Sequence, residues 1–326
     1  MQAPGFWQSG KGGFLAQLLA PLGWAYGFAT KTKMATTKPW KSPIPVLCVG
    51  NLTAGGAGKT PVALDLGKRL ISKGKTVHFL SRGYGGNEKG PLLVDPEIHD
   101  HFRVGDEPLL LAALAPTWVS GSRKSGCMAA AQAGADLIIM DDGFQNPYIH
   151  KDFSTIVVDG GYGFGNAKMI PAGPLRESIA DGLARANACV VIGEDTSGAL
   201  HSISDCGLSP LRARFAADTQ SKSELTGPVV AFAGIGRPDK FFETVSQMGH
   251  NIASVIPFPD HHPYNNADIA TLRNIATKAG AGLITTQKDE QRLPASFMDE
   301  VSVVTVSLEW TDEGALEALL DGICNA

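Results

Sequence analysis

Acidic residues are missing from the start of this chain, although they outnumber basic residues over its whole length. The 326 residues include 28 lysines and arginines against 32 aspartates and glutamates. No acidic residue precedes Asp65, whereas five lysines lie before Pro45. The net charge of −4 gives no general attraction to nucleic acid, and we expect neither a nucleic-acid partner nor an obligate protein partner. The basic N-terminus on an acidic body instead predicts a surface that contacts anionic lipid.

Cysteine is scarce, and its positions follow no pattern. The five cysteines occur without a C-x-x-C pair or a regular spacing; they are Cys48, Cys127, Cys189, Cys206 and Cys324. This distribution argues against a disulfide framework and against a zinc site, and it is typical of a reducing compartment. Cys48 and Cys189 lie in apolar, strand-like runs, where we expect them to be small core residues.

A hydrophobic run long enough to span a membrane is absent as well. From Gly12 to Thr30 the chain is uncharged and rich in leucine and aromatic residues, but glycines and Pro21 interrupt it. A spanning helix needs about 20 predominantly apolar residues, and no standard signal-peptide pattern is present. The flanking lysines favour a helix that lies in the headgroup region of a membrane. A helical hairpin packed on the protein's own core and an organellar transit peptide are the alternatives.

After Pro45, short β-rich runs alternate with helical stretches, which is typical of an α/β protein with a mostly parallel sheet. A first cycle begins at the predicted strand Val46–Val49. A second cycle ends with the predicted strand Val301–Val306 and the predicted helix Glu313–Leu320. The polar stretch Asp195–Ser209 is the best candidate boundary. We therefore predict an N-terminal membrane-interfacial segment in residues 1–45, a large domain in 46–205 and a smaller α/β domain in 206–326.

The strongest local signal is a glycine-rich loop between a predicted strand and a predicted helix. The loop runs from Gly50 to Thr60 and ends in the motif G-G-x-G-K-T. Such a loop turns backbone N–H groups toward phosphate oxygens, and the following helix adds its positive N-terminus. Lys59 would reach the β- and γ-phosphates of ATP, and the Thr60 hydroxyl would bind Mg²⁺. The predicted nucleotide-binding residues are Thr53, Ala54, Gly55, Gly56, Ala57, Gly58, Lys59 and Thr60.

One position of this loop departs from the strict P-loop pattern. G-x-x-x-x-G-K-[ST] requires glycine where Thr53 stands. The G-G-x-G-K-T core is similar to that of the deviant P-loop ATPases, but their signature lysine is replaced here by Ala54, so the sequence does not support that subgroup. The complete strand–loop–helix context still predicts a P-loop NTPase-like sheet with helices on both faces.

A pair of carboxylates ends the next strongly apolar run. Leu137–Met140 reads as a buried strand, and Asp141 and Asp142 follow it directly. An aspartate at the carboxyl end of such a strand holds Mg²⁺ in P-loop enzymes. We therefore predict a metal site from Thr60, Asp141 and Asp142, and the order of the two aspartates relative to the metal stays open.

Two further motifs can each be interpreted in two ways. Asp106 opens a predicted helix, and helix capping alone explains an aspartate there. His261 and His262 form a pair that a solvated loop explains, since two ligands do not make a metal site. The functional alternative is that His261 orients, or shares a proton with, a carboxylate such as Asp106.

Arginines at predicted strand ends indicate a second phosphate-bearing ligand. Arg82 and Arg123 each lie near glycine just after a strand, and arginine suits bidentate phosphate recognition. Because the P-loop already binds ATP, these extra arginines suggest an acceptor that itself carries phosphate. Solvated surface side chains are the alternative. Arg176 and Glu177 lie in a loop stiffened by proline and glycine, as functional loops often are.

Together these motifs resemble the tetraacyldisaccharide 4'-kinases, the lipid A 4'-kinases of Gram-negative bacteria. The matching segments follow the family's order through nearly the whole chain; they are Gly50–Pro61, Ser81–Gly85, Gly105–Pro108, Asp141–Gln145, Gly173–Glu177, Asp260–His262 and Thr286–Asp289. Threonine at position 53 is normal in this family, so the departure from the strict P-loop pattern supports the resemblance.

The resemblance implies an ATP-dependent glycolipid kinase of lipid A biosynthesis. Such an enzyme phosphorylates the 4'-hydroxyl of a tetraacyldisaccharide 1-phosphate with Mg²⁺-ATP, giving lipid IVA, at the cytoplasmic face of the inner membrane. It further implies that Asp106 is the base, aided by His261, and that the nucleotide lies between a larger N-terminal and a smaller C-terminal domain. The implied substrate contacts are Arg82, Arg123, Gln145, Arg176 and Glu177.

Two other functions remain open at the level of the residues. One is a P-loop NTPase that acts as a molecular switch or metallochaperone and needs no acceptor site. The other is a soluble small-molecule kinase whose N-terminal segment is merely structural.

Overall fold

The structure is a computed structural model that describes residues 4–8, 10, 13–217 and 227–325. A short 3₁₀ turn, Gly5–Trp7, precedes the helices and strands. The strands are β1 (Val46–Gly50), β2 (Val77–Ser81), β3 (Leu92–Leu93), β4 (Thr117–Val119), β5 (Leu137–Asp141), β6 (Phe153–Asp159), β7 (Ala188–Ile192), β8 (Leu211–Ala217), β9 (Val229–Ala233), β10 (Ile252–Pro257), β11 (Gly282–Thr286), β12 (Val301–Val304) and β13 (Val306–Trp310). The helices are α1 (Gly13–Leu18), α2 (Ala20–Thr36), α3 (Lys59–Ser72), α4 (His101–Val104), α5 (Asp106–Ala112), α6 (Arg123–Gln132), α7 (Ile179–Leu183), α8 (Ala199–Asp205), α9 (Pro238–Gln247), α10 (Asn266–Ala279), α11 (Gln287–Glu290), α12 (Ala295–Met298) and α13 (Glu313–Cys324).

Within these described ranges, nine strands form the larger sheet, in the order β13-β8-β7-β6-β1-β5-β2-β4-β3. The strands from β8 to β4 run parallel, and β13 and β3 add antiparallel edges. Helices α3 and α13 pack on one face through residues such as Leu66 and Leu320. Helices α6 and α8 cover the other face. Strands β1 and β5 are buried on both sides, which explains their unbroken apolar sequence. The predicted α/β class is confirmed.

A smaller, fully parallel sheet follows, with the strand order β10-β9-β11-β12 among the described residues. Helix α10 covers one face and helix α9 the other. Both sheets point the carboxyl ends of their central strands toward the same cleft. There a Cβ atom on Gly236, after β9, would lie 3.3 Å from the backbone nitrogen of Gly56 in the glycine-rich loop. Such crevices at strand ends are where open α/β sheets bind ligands.

The expected single C-terminal unit, 206–326, needs correction, because parts of it return to the larger sheet. Strand β8 pairs with β7, and β13 pairs with β8. The apparent strand Val301–Val306 is divided between β12 of the small sheet and β13 of the large one, and α13 packs beside α3. The stretch Asp195–Ser209 contains α8, whose Ile203 is fully buried. A continuous β-rich sequence does not reveal that the chain changes sheets at its middle.

The N-terminal helices expose the residues that a core would bury. The outward side chains are Phe14, Leu15, Leu18, Leu22, Trp24 and Phe28, each more than half exposed. Small residues face inward instead, and a Cβ atom on Gly23 would lie 2.8 Å from the Met169 carbonyl oxygen. Of the described helices, none is long and apolar enough to cross a membrane. Lys11 and Gly12 of this segment lie outside the described residues.

Candidate active site

The glycine-rich loop connects buried β1 to α3, and its backbone is shaped by close packing. Gly58 caps α3 with a left-handed backbone (φ 87°), and a Cβ there would lie 2.7 Å from Ile192. Gly55 and Gly56 are exposed at the crown of the loop. Thr53, by contrast, is buried and bridges to Leu175. The position that departs from the strict pattern therefore anchors the loop, whereas the glycines leave its N–H groups accessible.

The predicted metal ligands meet at the end of β5. The Thr60 hydroxyl donates a 2.8 Å hydrogen bond to Asp141, and the Lys59 ammonium lies 3.7 Å from Asp142. Burial raises the pKa of Asp141 to about 7, and the nearby charge of Glu107 adds to the effect. Its second oxygen, Oδ1, has no hydrogen-bond partner among the described residues. A buried carboxylate with an open oxygen beside a threonine hydroxyl is a suitable site for a cation.

These residues do not form a complete protein cage for a metal. Within the described residues, no group of three or more His, Cys, Asp or Glu side chains is placed to hold an ion. Magnesium in phosphate-transfer sites keeps several waters and uses one or two carboxylates plus the phosphates of the nucleotide. The donor set Thr60 and Asp141 therefore fits Mg²⁺ that arrives with a nucleotide.

A chain of hydrogen-bonded side chains begins at Asp142 and runs along the P-loop. The Arg176 guanidinium donates to Asp142 at 2.8 Å and to the Gln145 side-chain oxygen at 3.3 Å. The Gln145 amide in turn donates to the Asn51 carbonyl oxygen and to buried Glu177. Arg185 completes the chain by pairing with Glu177. Three predicted substrate residues, Gln145, Arg176 and Glu177, therefore lie together next to the loop.

Asp106 and His261 come together across the cleft. Asp106 is the first residue of α5, and its Oδ2 lies 3.0 Å from Nδ1 of His261, after β10. Gly105 allows this placement, since its φ is 88° and a Cβ would lie 2.5 Å from the Tyr84 carbonyl oxygen. His261 itself has a left-handed backbone (φ 57°), a conformation that clusters at functional sites. The pairing that the sequence left open is present.

Cations surround this pair and keep the carboxylate ionised. Burial by itself would raise the pKa of Asp106, but the hydrogen bond from His261 and the charges of Lys288 and Arg292 together outweigh it and lower the pKa to about 2. The Arg292 Nε lies 3.5 Å from Asp106, and the Lys288 ammonium lies 3.1 Å from Glu107. These groups therefore favour the ionised form of Asp106.

Glu107, Lys288 and Arg292 were not predicted as site residues. The sequence contained a signal for Lys288, because the Thr286–Asp289 segment is one of the matching motifs. Arg292 lies just beyond that motif, and a buried arginine there has no local signature. Its partners are Asp289 at 2.7 Å and the Gly234 carbonyl oxygen at 3.0 Å.

Arg82 and Arg123 lie on the side of the cleft where Asp142 is found. Arg123 is buried and donates to the Ser120 carbonyl oxygen at 2.8 Å. Burial lowers the pKa of Arg123, with Asp142 opposing and Arg82 adding to the shift. Arg82 is exposed. The arginines therefore gather near the site where the γ-phosphate would lie.

Ion pairs hold the two sheets together beside the loop. Asp159, at the end of β6, accepts from the Arg237 guanidinium and from the Lys240 ammonium, both at 2.6 Å. Arg237 is the N-cap residue of α9 and also lies over the Tyr162 ring. These ion pairs thus fasten the smaller sheet's unit to the carboxyl ends of the larger sheet's strands, where the P-loop lies.

Comparisons with known proteins identify the family of this chain. The family model described as tetraacyldisaccharide-1-P 4'-kinase, or LpxK, matches residues 15–325. Curated proteins named tetraacyldisaccharide 4'-kinase from Gluconacetobacter diazotrophicus and Rhodospirillum centenum are 51% and 50% identical, over 98% of this chain and 98% and 96% of theirs. The crystal structure of LpxK from Aquifex aeolicus in complex with ATP superposes with a TM-score of 0.76 at 26% identity, covering 95% of this chain and 99% of that one. The chain belongs to the tetraacyldisaccharide-1-P 4'-kinase family.

Proposed function

We propose that this protein transfers the γ-phosphate of ATP to the 4'-hydroxyl of a tetraacyldisaccharide 1-phosphate, a step of lipid A biosynthesis that gives lipid IVA. The observation that carries the proposal is that a P-loop and an Asp–His pair lie in the same cleft. Lys59 and Thr60 lie beside Asp142 and Asp141 at the end of β5, and the charge of Glu107, the neighbour of Asp106 in the Asp106–His261 pair, acts on Asp141. Family membership supports the same reaction.

The nucleotide half of the reaction rests on positioning and charge neutralisation. The N–H groups of Thr53–Thr60 would surround the β- and γ-phosphates. Lys59 would leave Asp142 for the phosphates, since their charge exceeds that of one carboxylate. Thr60 and Asp141, with Asp142 beside them, would hold Mg²⁺, which when bound neutralises charge on the β- and γ-phosphates.

The acceptor half requires a proton acceptor and a fixed sugar. As the 4'-oxygen attacks the γ-phosphorus and the bond to ADP breaks, the hydroxyl proton passes to the Asp106–His261 pair. Lys288 keeps Asp106 and Glu107 in place through charge. Arg82, Arg123 and Arg176 would orient the acceptor at its reacting end. Gln145 and Glu177 would hold the loop that carries Arg176.

We place this reaction at the cytoplasmic face of the inner membrane, with the protein bound peripherally. The support is the exposed apolar face of α1 and α2, together with exposed Lys33 near the C-terminal end of α2, which suits insertion into anionic lipid. An acceptor with four acyl chains is a membrane lipid, so an enzyme attached to the surface meets it without extracting it.

An assay with labelled ATP and a tetraacyldisaccharide 1-phosphate tests the proposal. Label should appear in the glycolipid at a rate that depends on Mg²⁺. Hydrolysis of ATP without a labelled lipid would point to a switch or metallochaperone instead. Label in a water-soluble acceptor, with the protein in the soluble fraction of a detergent-free lysate, would favour a small-molecule kinase.

A further inference from the structure

A cavity of about 190 Å³ lies at the C-terminal end of α2, and its lining includes Phe144, two residues after Asp142. Met34 and Thr37 form its wall on the N-terminal side. Lys151, two residues before β6, and Arg185, two residues after α7, line the cavity together with His150. Within the described part of the chain, the lining contains no acidic side chain.

The two cations in this cavity keep unused donors. The Lys151 ammonium carries three N–H groups, and its one hydrogen bond among the described residues goes to the Asn146 carbonyl oxygen. Burial lowers the pKa of Lys151, the positive charge of Arg185 adds to the shift, and Cys48 and Glu177 oppose it. Arg185 donates to the Asp181 carbonyl oxygen and to Glu177, while its guanidinium lies over the Phe144 ring. Arg185 already has an anionic partner in Glu177, whereas Lys151 forms no ion pair with the described residues, and holding such a cation away from water is costly unless an anion approaches it.

The position of the cavity relative to the reacting atoms suggests what that anion is. Arg176 and Arg123 lie near Asp142, at the reacting end of the acceptor. The family's acceptor carries its own phosphate on the 1-position, whereas the 4'-hydroxyl reacts, so the two groups lie at opposite ends of the disaccharide. A chain of contacts runs from Asp142 through Arg176, Gln145 and Glu177 to Arg185 in the lining of the cavity.

The surroundings of the cavity also suit a lipid. It opens beside α2, the helix whose outward face carries exposed Trp24 and Phe28. Lys33 lies 5.3 Å above the ring of Tyr148, next to the cavity wall at Pro147. An aromatic ring with a lysine is typical of the headgroup level of a membrane.

We propose that Lys151 and Arg185 form a binding site for the phosphate of a membrane lipid and that its occupant is the acceptor's own 1-phosphate. This proposal rests on the proposed function, since it requires a phosphorylated glycolipid acceptor. The headgroup of a bulk anionic phospholipid offers the same chemistry and is the other source of the phosphate.

The central experiment compares two acceptors that differ only by the 1-phosphate, presented in neutral detergent micelles. Lys151→Met should raise the KM for the phosphorylated acceptor roughly tenfold, because a hydrogen bond to a charged group is lost. The KM for the acceptor without the phosphate and the KM for ATP should not change. Lys151→Arg should restore most of the affinity, and Lys68→Met, on the exposed surface of α3, is the matched control for net charge. An equal rise for both acceptors, or an equal effect of Lys68→Met, would overturn the proposal.

A second pair of variants covers the case that Lys151→Met folds poorly. Met34→Glu places a carboxylate in the cavity wall and should raise the same KM by repelling phosphate, whereas Met34→Gln should not. Equal kinetics of the two would count against the site.

Vesicle co-sedimentation distinguishes the acceptor's phosphate from that of a bulk phospholipid. It also tests the Lys151 site independently of the proposed function. Phosphatidylcholine vesicles with and without phosphatidylglycerol serve as the probe. Weaker binding of Lys151→Met to phosphatidylglycerol, with an unchanged acceptor KM, would keep a lipid-phosphate site at Lys151 but assign it to bulk lipid. Wild-type protein that transfers no phosphate to the glycolipid would refute the proposed function, and the vesicle result would then decide the site by itself. Unchanged vesicle binding and unchanged KM would exclude the site altogether.

Discussion

The end of the large sheet that carries the P-loop buries charged side chains, whereas the N-terminal helices expose apolar ones. At the P-loop edge, charged side chains are partly or fully buried and paired, as Lys59 is with Asp142 and Asp106 with His261. On α1 and α2, large apolar side chains face outward, and Trp24 and Phe28 are each 75% exposed. Met169 and Ala172 of the loop after β6 lie against Gly23 and Gly27 on the inner face of α2.

The difference predicts that catalysis and the proposed membrane attachment depend on separate sets of residues. Preorganised charges stabilise a transition state only where water is excluded, whereas an exposed apolar face has value only where another apolar phase covers it. Variants of one region should therefore leave the function of the other unchanged, and the following predictions test this from the largest expected effect to the smallest.

Lys59→Ala should reduce phosphoryl transfer by about 10³-fold or more, because the charge that develops on the transferred phosphate loses its principal side-chain partner. Steady-state transfer to the glycolipid measures the effect. Vesicle binding and circular dichroism should match the wild type, and Lys68→Ala on the same helix should be fully active. A normal turnover number in Lys59→Ala would contradict the P-loop assignment.

Asp106→Ala should lower kcat by about 10²–10⁴-fold while changing the KM for ATP little, as expected for loss of a general base. His261→Ala should also lower kcat. Because the two side chains share a 3.0 Å contact, the double variant should cost less than the product of the single variants. Losses that multiply would show that the two residues act independently.

Replacing Leu18, Trp24 and Phe28 with serine should weaken binding to anionic vesicles at least tenfold, because each large apolar side chain contributes about 1.5–3 kcal/mol when buried. ATP binding should be retained. A control that replaces exposed Ala25 and Ala29 with serine should bind as the wild type does. Co-sedimentation at low and high salt provides the measurement, and equal sedimentation of both variants would disprove an interfacial role.

The pKa of Asp106 predicts a stability change in acid. Its pKa is lowered from 3.8 to about 2 in the folded protein, so this carboxylate stabilises the fold above pH 3.8, and the contribution is lost as pH falls toward 2. The contribution is roughly 2 kcal/mol. Chemical denaturation across this range should show a smaller loss of stability in Asp106→Asn than in the wild type. If the free energy of unfolding changed with pH in the same way in both proteins, the pKa of Asp106 would not be lowered in the folded state.

Gly23→Ala should destabilise the protein by about 1 kcal/mol. A Cβ at this position meets a backbone oxygen at 2.8 Å, and the resulting strain exceeds the gain from replacing glycine within a helix. Thermal unfolding gives the measurement. Ala25→Gly, on the exposed face of the same helix, should destabilise only through helix propensity, and kcat should be unchanged in both.

The sequence was sufficient where function depends on neighbouring residues. A loop between a buried strand and a helix must turn its N–H groups toward a phosphate, and Gly55–Thr60 contains everything that this geometry needs. The apolar run before Asp141 likewise fixes the carboxylates at a strand end. The uncharged, glycine-containing segment before Pro45 was enough to predict a non-spanning helix, although only the structure shows which face is covered.

Only the tertiary structure decided which distant residues meet. Asp106 and His261 are separated by 155 positions, and each has a satisfactory local explanation as a helix start or a solvated loop. The sequence also did not predict that β13 returns to the large sheet or that Arg292 lies beside Asp106. Local patterns record the period and polarity of one element, whereas the pairing of elements depends on long-range packing that no short stretch of sequence encodes.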